Sequence, residues 1–228
     1  EQYPDWPEQV ELGFRASMPL LELKLKVDRT EDHALLDEWK LKIERLLGAH
    51  IVTQDNQSLA DVVVKLLAEK GLKVTCAESC TGGKIASLLT EVSGSSAVFE
   101  AGFVTYANHI KASVVGVSKA VLAEHGAVSE PVVQQMLLGA LKASGADIGV
   151  SVSGIAGPNG GSDDKPVGTV WLAWGTKDKL RTQQFYFPGN RVFFQKIVSA
   201  LALDLIRREL LGIDEAAEYF QTRRFRSK

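Results

Sequence analysis

The hydrophobic pattern of the first fifty residues changes from an alternating to a helical period. Residues 21–27 alternate strictly between apolar and polar side chains, which predicts a strand with one buried face. Residues 10–16 are its expected hairpin partner. Helical spacing follows at Leu35, Trp39, Ile43, Leu46 and Leu47, with Gly48 at the expected C-cap. With a further short strand expected at 49–52, residues 1–52 are predicted to form a small α+β domain.

Beyond a polar linker at 53–57, helical and strand patterns alternate. Ser58 and Asp61 resemble a helix start with a capping carboxylate, and Gly71 ends the apolar stripe that follows. Further helices are predicted at 82–91, 108–115, 119–124, 130–144 and 191–211, and strands at 72–76, 98–106, 148–152, 168–174 and 181–187. Residues 53–213 are therefore predicted to form a three-layer α/β/α domain with a mixed sheet, whose last two strands are antiparallel. Residues 214–228 are expected to be a tail.

Composition and charge narrow the class of protein. The 228 residues carry a net charge of −2, which does not indicate a nucleic-acid-binding protein. The basic run at 223–228 is interpreted as a solvated tail, with a nucleic-acid contact as the alternative. No signal-peptide pattern is recognised in the sequence, and no apolar run approaches the ~20 residues that cross a bilayer. We therefore expect a soluble cytoplasmic protein without a membrane partner, and, because the chain begins with Glu1 in a patterned segment, a fragment of a longer protein.

The first candidate for chemistry is the segment 77–83, Ala-Glu-Ser-Cys-Thr-Gly-Gly, which lies between a predicted strand and a predicted helix. Ligands bind at the carboxyl edge of open α/β sheets, and a helix N-terminus offers free N–H groups. Ser79 could therefore attack a carbonyl while nearby N–H groups stabilise the oxyanion. The alternative is that Ser79 is a plain helix cap followed by two glycines.

A serine nucleophile needs a base, and the four histidines offer no clear partner. His33 and His50 lie in the first predicted domain, and His109 and His125 are more typical of surface or helix-end positions. Lys111 follows a predicted sheet strand, and burial could lower its pKa enough to make it a base. Tyr106 could relay a proton or orient the pair. The alternative is that Lys111 is a solvated helix lysine.

A third candidate is the loop after the strand at 148–152. Residues 151–162 combine hydroxyls with several glycines, which suits a phosphate or an oxyanion, although the P-loop pattern is absent. Arg191 could neutralise a phosphate there, or merely cap a turn. The alternative is that the loop is a mobile surface turn. Cys76 and Cys80 fit buried free thiols better than a zinc site or a redox pair.

Several of these segments together resemble a known family. The motifs are 77–83, the strand 102–106 with Asn108 and Lys111, the segment 125–129, the loop 153–158, and 165–170. In this order, over about residues 57–211, the chain is similar to the CinA C-terminal domain, the PncC-type nicotinamide mononucleotide deamidase.

This resemblance implies hydrolysis of nicotinamide mononucleotide to nicotinic acid mononucleotide and ammonia, by a Ser/Lys mechanism without a metal or an organic cofactor. Carried over by position, Ser79 is the nucleophile, Lys111 the base, and Tyr106 assists them. The implied substrate-binding residues are Cys80, Thr81, Gly82, Gly83, Asn108, Ser153, Gly154, Ala156, Gly157 and Arg191. Ser153 departs from the Thr of many relatives. The resemblance also implies a homodimer.

Residues 1–52 are similar to the KH-like middle domain of full-length CinA proteins, which implies an upstream domain. The segment has no evident Gly-x-x-Gly loop, and its 11 acidic residues outnumber its 7 basic ones, so we do not expect it to bind RNA. Two other hypotheses stay open: a catalytically silent nucleotide-binding module with a regulatory role, and an RNA-binding protein built on the first domain.

Overall fold

The computed structural model describes residues 5–17 and 19–214, and the chain divides into two compact units between Gln54 and Asp55. Each unit is described by itself. The predicted C-terminal tail lies outside the described residues from position 215 onward. Within the described residues, none of the helices combines the length and the apolar character needed to cross a membrane.

The first unit contains a hairpin and a helix, as predicted. Strands β1 (Glu11–Ser17) and β2 (Leu20–Lys26) pair antiparallel, with Phe14 opposite Leu23. Helix α1 (His33–Leu47) follows and ends at Gly48, whose φ of 47° requires glycine. The buried Trp39 of α1 lies 4.8 Å, centroid to centroid, from the ring of Trp6.

The prediction of a short strand at 49–52 is wrong. Gly48–His50 forms a 3₁₀ turn, and residues 51–53 are irregular. The sheet of this unit has only β1 and β2 among the described residues, so the apolar residues at 51 and 52 have no strand to pair with. Two apolar residues in sequence do not make a strand without a hydrogen-bonded neighbour.

The second unit has the predicted order of elements. In chain order these are α2 (Leu59–Lys70), β3 (Val74–Glu78), α3 (Lys84–Thr90), β4 (Phe99–Val104), α4 (Asn108–Val115), α5 (Lys119–His125), α6 (Glu130–Ser144), β5 (Ile148–Gly154), β6 (Thr169–Gly175), β7 (Leu180–Tyr186) and α7 (Arg191–Leu211). The predicted capping box is present at the start of α2, where Ser58 and Asp61 cap each other. Helix α3 begins two residues later than predicted because Gly82 and Gly83 have φ of 66° and 95°, outside the helical region.

The five strands form one mixed sheet in the order β4-β3-β5-β6-β7. Strands β4, β3 and β5 are parallel because helices connect them, whereas β5, β6 and β7 follow one another antiparallel without intervening helices. The predicted three-layer α/β fold with a mixed sheet is therefore confirmed. Helix α6 covers one face of the sheet, with α4 and α5 packed on it, and α7 covers the other face, with α2 and α3.

The parallel strands end together at one edge of the sheet. In the register of the sheet, Glu78 at the end of β3 lies opposite Val104 of β4 and Val152 of β5. The segments that follow these three strands therefore start side by side. They are the segments in which the sequence analysis placed its candidate residues, so the fold brings the three candidates to one place.

Candidate active site

A cleft opens at this edge of the sheet. Together with its mouth it encloses about 480 Å³. Its walls come from the segments after β3, β4 and β5, from the loop before α6, and from the first residue of α7. The lining residues are Ser79, Cys80, Tyr106, Asn108, Lys111, Ala127, Val128, Ser153, Gly154, Ala156 and Arg191.

Ser79 and Lys111 meet in this cleft. The Lys111 Nζ lies 3.0 Å from the Ser79 Oγ. The two side chains are 32 positions apart in sequence, and they meet because β3 and β4 are parallel neighbours, so the segments that follow these strands start side by side. Lys111 is only 1% exposed and Ser79 8% exposed, so Lys111 is not a solvated helix lysine. Nor is Ser79 a helix cap, since the N-cap of α3 is Gly83.

Two backbone carbonyls complete the surroundings of the Lys111 amine. Its Nζ donates to the carbonyl oxygens of Thr105, at 2.8 Å, and Tyr106, at 3.1 Å. No carboxylate in the part of the chain that the structure describes forms an ion pair with Lys111. Burial lowers the pKa of Lys111 below its usual value, because the ammonium loses hydration without gaining a counter-ion; the nearby Cys80 opposes this shift to a smaller extent.

This arrangement suits a neutral amine. An uncharged lysine has two N–H bonds and one lone pair. If the two hydrogens go to the two carbonyls, the lone pair is directed at the third neighbour, the Ser79 hydroxyl. The same three contacts therefore position the amine to accept the Ser79 proton.

The buried carboxylate of Glu78 anchors the turn that carries Ser79. Glu78 is fully buried and accepts hydrogen bonds from the N–H groups of Gly83 at 3.0 Å, Ile85 at 3.2 Å and Ala86 at 2.9 Å. A carboxylate with three N–H donors at a helix start is a strong anchor. Glu78 lies within the candidate segment 77–83, but a single carboxylate has no sequence pattern that predicts such an anchoring role.

Two backbone hydrogen bonds hold the turn that carries Ser79 in one conformation. Two other N–H groups of this turn do not take part in them. The Ser79 N–H donates to the Val152 carbonyl at 3.0 Å, and the Gly82 N–H donates to the Ser79 carbonyl at 3.2 Å. Among the described residues, the N–H groups of Cys80 and Thr81 have no acceptor outside their own residues. Free N–H groups next to a nucleophile are suited to binding an oxyanion.

Tyr106 and Arg191 meet across the mouth of the cleft. The Arg191 guanidinium donates to the Tyr106 hydroxyl at 2.9 Å and to the Gly157 carbonyl at 3.1 Å. Arg191 is the first residue of α7, whose start Asn190 caps by accepting from the Phe193 N–H. Tyr106 thus contacts Lys111 through its backbone carbonyl and Arg191 through its side chain.

The neighbouring walls are polar but uncharged. Ser153 donates its hydroxyl to the Ala127 carbonyl at 2.7 Å. Burial raises the pKa of the Cys80 thiol to about 12, so this side chain is a neutral thiol near neutral pH. At Gly154 a Cβ would lie 2.8 Å from the Cβ of Val170, which excludes larger residues from this wall.

Six of the ten predicted substrate-binding residues line the cleft: Cys80, Asn108, Ser153, Gly154, Ala156 and Arg191. The other four, Thr81, Gly82, Gly83 and Gly157, are not among the lining residues. Thr81 is 1% exposed, and the three glycines have positive φ, so these four shape the loops that carry the lining residues.

The sequence analysis did not assign Ala127, Val128 and Gln195 to the site. The segment 125–129 was recognised as a motif, but apolar side chains carry no chemical signature, so Ala127 and Val128 were not chosen as lining residues. Gln195 was missed because a glutamine within a long helix is typical of a solvated face. It donates to the Cys80 carbonyl at 2.9 Å.

The described residues bring no three His, Cys, Asp or Glu side chains together in an arrangement that could hold a metal ion. Cys76 and Cys80 are both buried and free, as predicted.

Comparison with known protein families assigns the part of the chain that carries this cleft to a family. The family model of the CinA C-terminal domain matches residues 56–210, which include the whole cleft. The chain belongs to the CinA family.

Curated CinA-family relatives match the chain over nearly all of its length. It is 50% identical over 228 residues to a CinA-like protein of Colwellia psychrerythraea, covering 99% of this chain and 53% of that protein. It is 40% identical over 220 residues to a protein of Shewanella oneidensis named nicotinamide-nucleotide amidohydrolase PncC, covering 96% of this chain and 52% of that protein. The chain therefore spans about half the length of these relatives.

Solved structures of the CinA superfamily share the fold. A Klebsiella pneumoniae protein is 37% identical with a TM-score of 0.66, and the match covers 70% of this chain and 99% of that one. The competence/damage-inducible protein CihA of Agrobacterium tumefaciens is 41% identical with a TM-score of 0.64, covering 69% of this chain and 94% of that one.

Proposed function

We propose that this chain hydrolyses the carboxamide of nicotinamide mononucleotide, releasing nicotinic acid mononucleotide and ammonia. One observation carries the proposal: a buried lysine without a counter-ion lies 3.0 Å from a serine hydroxyl in an open cleft. The Shewanella oneidensis relative named nicotinamide-nucleotide amidohydrolase supports the choice of substrate.

In the first step, the Ser79 Oγ attacks the carboxamide carbon while the neutral Lys111 amine takes its proton. The carbonyl oxygen of the substrate becomes an oxyanion. The N–H groups of Cys80 and Thr81 are the proposed donors to this oxyanion, because they lie next to the nucleophile and, among the described residues, have no acceptor outside their own residues. The Thr105 and Tyr106 carbonyls then stabilise the newly formed ammonium of Lys111.

In the second step, the tetrahedral adduct collapses and the carbon–nitrogen bond breaks. Lys111 returns the proton to the departing nitrogen, which leaves as ammonia, and an ester remains on Ser79. Water then attacks this ester with Lys111 again accepting a proton, and Lys111 returns that proton to the Ser79 oxygen. The products are nicotinic acid mononucleotide and the free enzyme.

The other cleft residues are proposed to bind the substrate. Arg191 can turn its guanidinium to the phosphate, since its two present acceptors are neutral oxygens and a dianion is the stronger partner. Tyr106 assists by holding Lys111 through its carbonyl and Arg191 through its hydroxyl. Cys80, Asn108, Ser153, Gly154 and Ala156 line the space between the dyad and Arg191.

An ammonia-release assay on nicotinamide mononucleotide tests the proposal. The wild-type chain should release ammonia without added metal or cofactor, and Ser79→Ala should lose about a factor of 10⁴ or more in kcat. Ser144→Ala is the matched control, because among the described residues the Ser144 hydroxyl bonds only to the Ala140 carbonyl within its own helix and to the Ala146 N–H. A wild-type chain that binds the mononucleotide without releasing ammonia would instead indicate a silent nucleotide-binding module.

Lys111→Arg tests the role of the base. A guanidinium cannot be deprotonated near neutral pH, so this variant should be nearly inactive although it keeps the positive charge. Lys119→Arg, at an exposed position at the start of α5, is the matched control and should keep full activity. Substantial ammonia release by Lys111→Arg would exclude a lysine base.

The remaining proposals concern the whole protein. We propose that residues 1–52 are a KH-like domain, that residues 53–213 are the amidohydrolase domain, and that the protein is a cytoplasmic homodimer. The resemblance to the CinA family supports these proposals. Sedimentation equilibrium of the purified chain tests the dimer, and a monomer at micromolar concentration would contradict it.

A further inference from the structure

Helix α7 contacts the turn that carries Ser79 through one uncharged side chain. The Gln195 Nε2 donates to the carbonyl oxygen of Cys80 at 2.9 Å. Gln195 lies four residues after Arg191, so both side chains project from the same face of α7. The side chain also lies against the turn, since a Cβ on Gly82 would be 3.9 Å from the Gln195 Nε2.

The hydrogen bond from Gln195 fixes the orientation of the whole Cys80–Thr81 peptide and not only of the Cys80 carbonyl. In a trans peptide the C=O of one residue and the N–H of the next lie in one plane and point in opposite directions. A hydrogen bond that holds the Cys80 carbonyl against α7 therefore also fixes the direction of the Thr81 N–H. That N–H has no acceptor among the described residues and is one of the two proposed oxyanion donors.

The two adjacent peptides of the turn are held by different kinds of donor. The Ser79–Cys80 peptide is held by the backbone, through the Gly82 N–H at 3.2 Å from the Ser79 carbonyl. The Cys80–Thr81 peptide is held by the side chain of Gln195. Only the second contact can be removed by a single side-chain substitution outside the turn.

We propose that Gln195 is a positioning residue, which orients the Cys80–Thr81 peptide so that the Thr81 N–H stabilises the oxyanion of the reaction. The inference rests on the proposed function. Gln195 is not a catalytic residue, because its contact is with the turn and not with the reacting atoms.

Gln195→Met tests this role, because methionine keeps the length of the side chain and removes its donor. Loss of a direct oxyanion donor costs about 10²–10³ in kcat, and an indirect loss of orientation should cost about tenfold. KM and the affinity for nicotinic acid mononucleotide should stay unchanged, since the contact acts in the transition state. Gln134→Met, which removes a glutamine contact to Glu130 within α6, is the matched control and should leave kcat unchanged.

A crystal structure of the variant gives a second readout that needs no turnover. The Cys80–Thr81 peptide should change its orientation in Gln195→Met, while the Ser79 and Lys111 side chains stay in contact. Gln195→Glu, which has nearly the same shape without a donor, provides the same test if the methionine variant does not fold. An unchanged peptide, or an unchanged kcat, would overturn the inference. A wild-type chain without activity together with a reoriented peptide would overturn the proposed reaction and leave the positioning role standing.

Discussion

In the proposed mechanism, Lys111 accepts a proton only when its amine is uncharged, so the protonation of Lys111 should control the rate. Burial lowers the pKa of Lys111, whereas the pKa of an exposed lysine is about 10.4. Below the lowered pKa the amine is protonated and has no lone pair. We predict that kcat rises with pH along one limb whose midpoint lies below about 10.4. A pH–rate profile measures this midpoint, and a profile without such a limb would contradict a lysine base.

The same shift of the Lys111 pKa affects stability. Between the lowered folded pKa and the unfolded value, the unfolded chain binds more protons than the folded one, so the free energy of unfolding increases with pH in this window. The stabilising contribution is complete above the unfolded pKa and is lost as the pH falls through the folded pKa. A fall in pH through this window therefore lowers the free energy of unfolding and protonates the Lys111 amine together.

At the scale of residues, the sequence predicts the candidate reacting side chains better than the side chains that hold them in position. Ser79 and Lys111 lie in motifs with recognisable residue types, and the structure brings them into contact. Glu78 and Gln195 hold the same turn, yet their roles depend on contacts with backbone atoms. Such contacts follow from the three-dimensional course of the chain and not from residue type, so no pattern in the sequence could reveal them.

At the scale of elements, a close contact between two helices fixes α4, which carries Lys111. Gly139 lies in the middle of α6, and a Cβ there would be 1.9 Å from the carbonyl oxygen of Val115 at the end of α4. Alanine usually stabilises a helix interior relative to glycine by about 1 kcal/mol. Here the clash with backbone forces α4 and α6 apart, and overpacking reverses the sign of the effect.

Gly139→Ala should therefore lower the free energy of unfolding by about 1–3 kcal/mol, as for other overpacked cores. Denaturation in urea measures this change. Lys142→Ala, on the exposed side of the same helix, should change it by less than about 0.5 kcal/mol. Equal stability of Gly139→Ala and wild type would show that the two helices are not held in this contact.

The elements themselves were predictable where hydrophobic periodicity is long and clear. Helices α4, α6 and α7 have the predicted limits, and each ends at a glycine of positive φ. Helix α7 is buried on most of its sides, so its limits follow from its caps and not from a single apolar stripe. The strand predicted at 49–52 failed because periodicity over two apolar residues does not distinguish a strand from a turn. The order of strands in the sheet also lies outside what periodicity encodes, since it depends on long-range pairing.

At the scale of the whole molecule, the contacts proposed for catalysis lie in the second unit. The residues from Glu78 to Gln195 supply the dyad, the turn and the cleft, and the chain divides earlier, between Gln54 and Asp55. The match to the solved Klebsiella pneumoniae relative covers 70% of this chain and 99% of the relative. A protein made almost entirely of the matched part therefore folds by itself.

We predict that a fragment of residues 55–228 folds and releases ammonia from nicotinamide mononucleotide at a rate comparable with that of the whole chain. Circular dichroism and the ammonia assay check this, with the Ser79→Ala fragment as the control. A folded fragment without activity would show that the first unit contributes to the reaction.

The most direct test of the whole account is a crystal structure of the Ser79→Ala variant with nicotinamide mononucleotide. The account predicts that the carboxamide carbon lies about 3–3.5 Å from the position of the missing Oγ, which is the distance of a near-attack geometry. The Lys111 amine should lie beside it and the phosphate at Arg191. A mononucleotide bound with its carboxamide turned away from residue 79, or with its phosphate in that place, would contradict the account.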